Sequence, residues 1–585
     1  DAYPDDFYTV PADNDTGVRL DLRQGENVNI PGLAAAFISV YEQASTLDGF
    51  GTTAGAYFRF NGPLDRGSLP AIDGRPEPSD SLLMVDLDAS PPQLVALVWR
   101  VVPESPDNPA ATLSIEPVEP LEPAHRYGFA LTTAASAEDG SCIAPSETMR
   151  SLLEGSSTDP MLARTQTAIG DVTAALMEVG AIDFAQELTA AVAFTTQTTV
   201  DQSVAIAQEI RSTQPPSFTP DGPCEDPGAD VPYLSCSGVI DTLDFTNQAE
   251  HVPANLASSG SYDVPALVYL PKSGSAPWPT ILFGHGLGGD RTQAAFLADF
   301  AAGENYAVIA IDAPKHGDHP DMGDDAVLDF FGLSGELIDP LDAFKLRDNF
   351  RQGTYDKLQV LEAVRAGIDA DDDGNVDLDI DRFHYLGVSL GGIMGAEFAA
   401  LAPDVDTATM IVPGARITSI VQDGTSFSSL LATFASNASD GEIARFFPFL
   451  QGVIDRGDSG VYARHILPGR RLPGFDQAAP QLLMQMVLSD ATVPNTANGY
   501  YARALRVPLV GEQRLAIGVP NEPELPTAGN IDPMHTAGVF QFDELETGVM
   551  ASHSNIATSQ VAQDQIRRFL LSWGSDGVSE IIDPY

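Results

Sequence analysis

Apolar residues change their spacing along the chain, and each change marks a different kind of element. From about residue 50 to 135 they alternate in short runs, GAYFRFNGPLD, SLLMVDLD, QLVALVWRVVP, ATLSIEP and HRYGFALTT, and Tyr127, Phe129 and Leu131 share one face. Proline-rich turns such as EPVEPLEP separate these runs, which predicts a small β-sandwich. Residues 146 to 213 shift to helical spacing in SETMRSLLEG, ARTQTAIGDVTAALMEVG and VDQSVAIAQEIRS, around an apolar AVAFTT that reads as a candidate strand. This stretch is expected to bridge two domains. After the proline-rich QPPSFTPDGPCEDPG, apolar runs alternate with helix-length segments: VPALVYLP, TILFGHG, YAVIAIDAP, FHYLGVS, TATMIVPG and QLLMQMVLSD. Strand and helix in alternation predict a mostly parallel sheet covered on both faces.

A chain of 585 residues exceeds one ordinary core, so two domains are expected. The patterns place a β-sandwich-like domain at 1–140, a helical bridge or linker at 141–225 and an α/β domain at 226–585. Within the last, an insertion at about 416–478 contains SFSSLLATFASNASDGEIARFFPFLQGVI. Phe427, Leu430, Leu431 and Phe434 follow helical spacing there, as do Phe446, Phe449 and Leu450. Two readings stand: a helical cap whose apolar underside takes an acyl or aromatic group, or a second small core that never meets substrate.

Charge narrows the function classes. With 82 acidic against 30 basic residues the formal net charge is −52, which repels nucleic acid and anionic surfaces. Since 43% of residues are hydrophobic, the acid excess belongs to the surface of a folded protein rather than to a disordered one. Such a surface suits a saline habitat, and equally serves as a solubility device in a secreted protein. No stretch approaches the roughly 20 apolar residues of a membrane span, and the opening DAYPDDFYTV lacks a basic start and an apolar signal core. The chain therefore reads as soluble and already trimmed. Cys224 and Cys236 flank the loop PCEDPGADVPYLSC while Cys142 lies far upstream, so a single bridge, Cys224 to Cys236, is set against three unpaired thiols. The bridge would suit a secreted protein, extracellular or held at a bacterial cell surface. Neither a CxxC pair nor a Cys/His cluster suggests zinc.

Gly387-Val388-Ser389-Leu390-Gly391 sits at a strand-to-helix corner, the GxSxG turn that lifts a serine hydroxyl above a sheet. Glycine-rich corners are common, so the weight rests on partners. A serine needs a base, and the base needs a carboxylate to hold its tautomer. In this architecture the chain order is Ser, acid, His, and Asp490 directly follows the apolar strand of QLLMQMVLSDATVPN. The competing reading makes Asp490 a turn aspartate capping the next helix. Only His535 and His553 follow it. His553, in GVMASHSN between the last strand GVFQF and the last helix, is preferred as base, with His535, in DPMHTAG, as the alternative. Oxyanion donors are expected from the N–H groups of Leu390 and of Leu287, after the strand TILFGHG. His285, His316 and His319 read as loop residues.

Just before the serine strand, Asp369-x-Asp371-x-Asp373-Gly374-Asn375-x-Asp377 copies the first nine positions of an EF-hand-type loop. Ile380 stands at the twelfth position, where a bidentate glutamate belongs. A structural calcium site made of Asp369, Asp371, Asp373, Asn375 and Asp377 is set against a solvated acidic loop. No cofactor is expected for catalysis.

With GHGLGG, GVSLGG, SDATVPN and ASHSN in this order, residues 235 to 585 resemble the α/β-hydrolase fold, and specifically its ester-cleaving serine hydrolases. TLDGFGTTAGAYFRFNGPLD, RYGFALTT, FTTQT and RDNFRQGTYD further resemble secreted bacterial lipases of the virulence-factor type, which carry an N-terminal all-β domain. The resemblance implies an esterase or lipase in which Ser389 is nucleophile, Asp490 acid, His553 base, and Leu287 and Leu390 oxyanion donors. Its substrate would be a small-molecule, lipid or polymeric ester. RDNFRQ is expected to be a structural helix whose Arg347 and Arg351 pair with acidic neighbours. The competing functions are a serine peptidase or thioesterase on the same residues, and a non-catalytic adhesion or binding protein.

Overall fold

The computed structural model describes residues 2–72, 75–336, 338–546 and 548–585. The chain forms two compact units, each assembled from separated segments. The first comprises Asp1–Thr199, Gly335–Ala343 and Leu430–Arg456; the second comprises Val200–Ser334, Phe344–Ser429 and Gly457–Tyr585.

In the first unit the alternating runs make two four-stranded antiparallel sheets. One runs in the order Ala2–Tyr3, Ala56–Arg59, Asn108–Pro117, Leu97–Ser105, and the other Leu188–Thr195, Arg126–Thr132, Leu82–Asp86, Gln93–Leu94. Phe50 links them, its ring 5.3 Å from Tyr3 in one and 6.1 Å from Phe194 in the other. The AVAFTT segment is the edge strand Leu188–Thr195. Here the expected boundaries shift: the helices Glu147–Leu153 and Ala163–Glu178 are no bridge but part of this unit. Helix Ala163–Glu178 buries Ile169, Val172 and Leu176 against the second sheet, and a Cβ on Gly128 would lie 2.6 Å from Val172, so only glycine lets helix and strand meet.

The insertion also divides differently from the expected cap. Helix Asp440–Ile454, opened by a capping box between Ser439 and Glu442, belongs to the first unit. Its apolar stripe packs inside that unit, with Phe449 4.0 Å from Tyr3 and Phe446 4.7 Å from Phe37. Arg445 donates to Glu104 at 2.7 and 3.0 Å, and the Asp455 carboxylate accepts the backbone N–H groups of Thr52 and Thr53 at 2.6 and 3.0 Å. The second-core reading of Phe446, Phe449 and Leu450 is therefore the one the packing supports: helical spacing identifies an apolar face but not the partner that covers it.

The second unit is built on one sheet. Its main strands are β1 (Tyr233–Asp244), β2 (Gly260–Pro271), β3 (Trp278–Gly284), β4 (Ala307–Ile311), β5 (Leu378–Val388), β6 (Val405–Ile411), β7 (Gln481–Val487) and β8 (Ala537–Phe542). In space they run β1-β2-β4-β3-β5-β6-β7-β8, flanked by short edge strands, with β1, β2 and β4 paired antiparallel and the rest parallel. Residues 281–283 and 307–311 are buried on both faces, as a sheet covered by helices on each side requires. β4 and β5 lie on opposite sides of β3, so the chain reverses its direction of travel there. In open α/β sheets ligands bind beyond the strand ends at such a reversal. Gly284 of β3 is in register with Gly387 of β5, which brings the two glycine-rich turns side by side.

Helix Ala343–Ala366 is buried yet polar, because its side chains complete the backbone hydrogen bonding of residues 243–252. Asp348, Gln352 and Gln359 accept the N–H groups of Val252, Phe245 and Leu243 at 2.8, 2.9 and 2.6 Å. Arg347 and Arg351 both pair with Asp348, at 2.7 and 2.9 Å. Burial works against that carboxylate, but the two guanidiniums hold its pKa below the ordinary value. Cys224 and Cys236 are joined in a disulfide, and Cys142 is exposed and free. No helix among the described residues is long and apolar enough to cross a membrane.

Candidate active site

Ser389 directly follows β5, with φ 53° and ψ −110°, a conformation that L-residues rarely adopt and that only over-determined surroundings maintain. Three hydrogen bonds supply the restraint. Ser389 N–H donates to Ile411 O of β6 at 2.8 Å, Gly391 N–H to His285 O at 2.9 Å, and the Tyr385 hydroxyl to Gly391 O at 2.6 Å. A Cβ on Gly391 would overlap the Gly284 carbonyl, and one on Gly387 would overlap that of Gly391. The two glycines of the motif are thus what lets helix Leu390–Leu401 start directly against β3.

Asp490 lies in the turn after β7. Its Oδ1 accepts the N–H groups of Thr492 and Val493 at 2.9 and 3.0 Å, and its Oδ2 lies 2.8 Å from His553 Nδ1. One oxygen does what a turn aspartate does; the other reaches the histidine. His553 Nε2 is 2.8 Å from Ser389 Oγ. A carboxylate at Nδ1 fixes the tautomer with hydrogen on Nδ1 and a lone pair on Nε2, facing the serine hydroxyl. Ser389 and Asp490 are 7% and 8% exposed, so the hydroxyl and carboxylate meet the histidine in a largely desolvated place. His535 takes no part: its Nδ1 is 2.9 Å from both Asp532 oxygens, in a turn before β8 at the opposite end of the sheet.

On the other side of the serine, the turn after β3 is fixed from within. Ala313 N–H donates to His285 Nε2 at 2.9 Å, so Nδ1 carries the hydrogen and donates to Gly286 O at 2.9 Å. Burial pushes this imidazole down to about 3, which keeps it neutral. Gln293 Oε1 accepts Gly286 N–H at 3.1 Å, and a Cβ on Gly286 would stand 3.7 Å from Ser389 Cβ. Neither Leu287 N–H nor Leu390 N–H has an acceptor among the described residues. Two positioning residues escape a motif reading. Gln293 lies six residues past Leu287, and Asn495, the last letter of SDATVPN, accepts Ser489 N–H at 2.8 Å and donates to Val487 O at 2.7 Å. Asn555 acts similarly on the histidine loop, accepting Ser552 N–H at 2.8 Å and donating to Met550 O at 3.0 Å.

The acidic loop differs from its expected form. One oxygen each from Asp369, Asp371 and Asp373 lies within 4.8 Å of the others. Asp377 turns inward instead, accepting Ala370 N–H at 2.8 Å, and the Asn375 amide donates to Asp373 at 2.9 Å. Asp377 is 2% exposed, and burial, aided by Asp371 and Asp369, pushes its carboxyl up to about 6. Three of the five expected ligands converge; the other two serve the loop's own hydrogen bonds.

Residues 281–537 match the model of the Alpha/beta hydrolase family. No curated protein matches the chain. Among solved structures, it is similar to an acetyl xylan esterase from Paenibacillus sp. R4, at 14% identity over 64% of this chain and 94% of that one with a TM-score of 0.40. It is also similar to acetyl xylan esterase 1 from Thermoanaerobacterium sp. JW/SL YS485, at 14% identity over 64% and 92% with a TM-score of 0.37. A cold-adapted esterase from an Arctic intertidal metagenomic library is 16% identical over 58% and 93%, with a TM-score of 0.28.

Proposed function

We propose, from a second unit that has the α/β-hydrolase fold, that this protein hydrolyses carboxylic esters through an acyl-enzyme on Ser389. The observation that carries the reading is the unbroken chain from Ser389 Oγ to His553 at 2.8 Å and from His553 to Asp490 at 2.8 Å. In the first step Ser389 Oγ bonds to the ester carbonyl carbon while His553 Nε2 takes its proton, and Asp490 stabilises the imidazolium. The N–H groups of Leu287 and Leu390 receive the negative carbonyl oxygen. Collapse breaks the bond to the alcohol, which leaves with the proton held by His553. Water then attacks the acyl-enzyme by the same route, releasing the acid. No cofactor enters these steps.

A serine peptidase or thioesterase would use the same groups. The deciding experiment compares ester, thioester and amide substrates with one acyl group, in the parent and in Ser389→Ala, and follows labelling by a fluorophosphonate. Ester turnover and labelling that both vanish in Ser389→Ala support the reading. Turnover that survives the substitution removes it, and amide cleavage at the ester's rate moves it to the peptidase.

Two further assignments belong to this reading. Asp369, Asp371 and Asp373 are assigned to a structural calcium ion, whose charge would relieve the repulsion among carboxylates so close together. The disulfide Cys224–Cys236 supports secretion, because such bonds persist outside the reducing cytosol.

A further inference from the structure

The turn after β3 is a β-turn from Gly286 to Gly289. Gly289 N–H donates to Gly286 O at 3.0 Å, and Gly288, at the third position, takes φ 72°. Two peptide planes lead into it, 285–286 and 286–287, and between them they carry four hydrogen-bonding groups. Three are occupied. His285 O accepts Gly391 N–H at 2.9 Å, Gly286 N–H donates to Gln293 Oε1 at 3.1 Å, and Gly286 O accepts the His285 Nδ1 hydrogen at 2.9 Å besides Gly289 N–H. The fourth, Leu287 N–H, has no acceptor among the described residues. In a planar trans peptide the N–H points opposite to the carbonyl, so the groups that hold Gly286 also set the direction of Leu287 N–H.

Gln293 reaches this turn from the 3₁₀-helix Arg291–Ala294, which is itself clamped. Asp290 caps it, accepting Thr292 N–H at 2.8 Å. The buried Asp312, just after β4, accepts Arg291 N–H at 2.7 Å, and Arg291 Nη2 donates to Asp318 at 2.8 Å. From that base the Gln293 amide lies across the turn: Oε1 meets Gly286 N–H, and Nε2 stands 2.2 Å from where a Gly289 Cβ would be. The amide is also close to the nucleophile. The place a Gly286 Cβ would take is 3.8 Å from Gln293 Oε1 and 3.7 Å from Ser389 Cβ.

Resting on the ester-hydrolase reading, we propose that Gln293 is a positioning residue for the reaction: its amide holds the Gly286 peptide so that Leu287 N–H meets the carbonyl oxygen as that oxygen gains negative charge. Acting through Leu287, it contributes to the transition state rather than to substrate binding. Glycine at 289 then serves the same end. Its φ lies outside the positive region, so the backbone there accepts alanine, but a methyl group would push the Gln293 amide off the turn. The test therefore compares the parent, Gln293→Ala, Gly289→Ala and the double variant. It reads kcat and KM on p-nitrophenyl acetate or butyrate, whichever the parent cleaves faster, and a melting curve for each protein. It also reads the Ki of a trifluoromethyl ketone, whose carbonyl carbon bonds to Ser389 Oγ while the serine proton passes to His553, leaving a tetrahedral oxyanion. Gln293 is exposed, so its replacement leaves the core intact.

Loss of a whole oxyanion donor costs about 10²- to 10³-fold in kcat, so loosening one should cost roughly 10- to 100-fold, with KM little changed and the ketone's Ki rising in step. Gly289→Ala should show the same defect. The double variant should be no worse than Gln293→Ala, because both substitutions remove one contact. Variants that melt cooperatively and keep the parent's kcat overturn the inference and leave the esterase reading intact. So does a loss confined to KM, or losses that multiply in the double variant. A parent that cleaves neither ester and is not labelled by a fluorophosphonate removes both.

Discussion

The carbonyl of His285 accepts the Gly391 N–H at 2.9 Å, and this one bond ties the turn after β3 to the first turn of the helix after Ser389. The two proposed oxyanion donors, Leu287 and Leu390, each lie within two residues of it. The spacing of the donors is therefore set by backbone approach between β3 and β5, and glycine at 391 is what permits that approach.

Gly391→Ala is accordingly expected to be far more damaging than Gly286→Ala. At 391 the new methyl meets a backbone carbonyl that cannot move aside, whereas at 286 it meets Ser389 Cβ at 3.7 Å, an ordinary contact. Melting curves should show Gly391→Ala destabilised by about 1–3 kcal/mol or more, as overpacking usually is, with Gly286→Ala close to the parent. Equal melting temperatures for the two would contradict the backbone account of the motif.

Asp490→Asn should leave the fold in place and lower kcat by about four orders of magnitude, because an amide at that position favours the wrong histidine tautomer. His553→Ala should be at least as severe. His535→Ala, which disturbs only the pair with Asp532, should keep esterase rates near those of the parent. Steady-state kinetics on the four proteins decides it.

Glu397, on the helix that follows Ser389, is buried, and burial pushes its carboxyl up to about 7 against the pull of Arg351. In the unfolded chain the same group titrates near the ordinary carboxyl value. Between these values the folded form holds a proton the unfolded form has lost, so this group's contribution to stability is full at low pH and falls as pH rises toward 7. Glu397→Gln removes the titration. Its melting temperature should fall less between pH 5 and pH 8 than the parent's, and an identical fall would refute the assignment.

The bridge between Cys224 and Cys236 closes a loop with a sequence separation of 12. A loop of that size contributes about 3 kcal/mol in the chain-entropy account. Denaturant melts of the parent with and without reductant, and of Cys224→Ser with Cys236→Ser, should show that loss, with the double variant insensitive to reductant.

Calcium added to the chelator-treated protein should raise the melting temperature, since an ion held at a hundred times its Kd stabilises by about 2.7 kcal/mol. Asp369→Asn with Asp373→Asn should abolish the effect. A shift that persists in that variant, or no shift in the parent, would assign the loop to solvent.

Ser389, His553 and Asp490, which the structure joins by two hydrogen-bond contacts, are legible in the sequence because each has a fixed place relative to a strand: Ser389 directly follows β5, Asp490 follows β7, and His553 follows β8. Strands buried on both faces announce themselves as apolar runs, and most of the sheet follows from that. Other parts are invisible for physical reasons. RDNFRQ announces a structural helix with paired arginines, but the polar pattern of Ala343–Ala366 does not tell that its glutamines and aspartate are consumed by the backbone of residues 243–252. Phe446 and Phe449 show an apolar stripe, but periodicity carries no information about a partner more than 400 residues away in sequence, such as Tyr3 or Phe37. Gln293 and Asn495 act through the backbone groups they occupy, and no residue pattern encodes those.

The first unit's dependence on Leu430–Arg456 has a consequence for synthesis on the ribosome. Its two sheets emerge early, but a nascent chain shorter than 446 residues carries Tyr3, Phe37 and Tyr57 without the rings of Phe446 and Phe449 that cover them, and Thr52 and Thr53 without Asp455. By then β1 to β6 have been translated as well. Completion of the amino-terminal unit therefore waits on translation through most of the second unit's main strands, and a half-made chain exposes apolar surface for all of that interval.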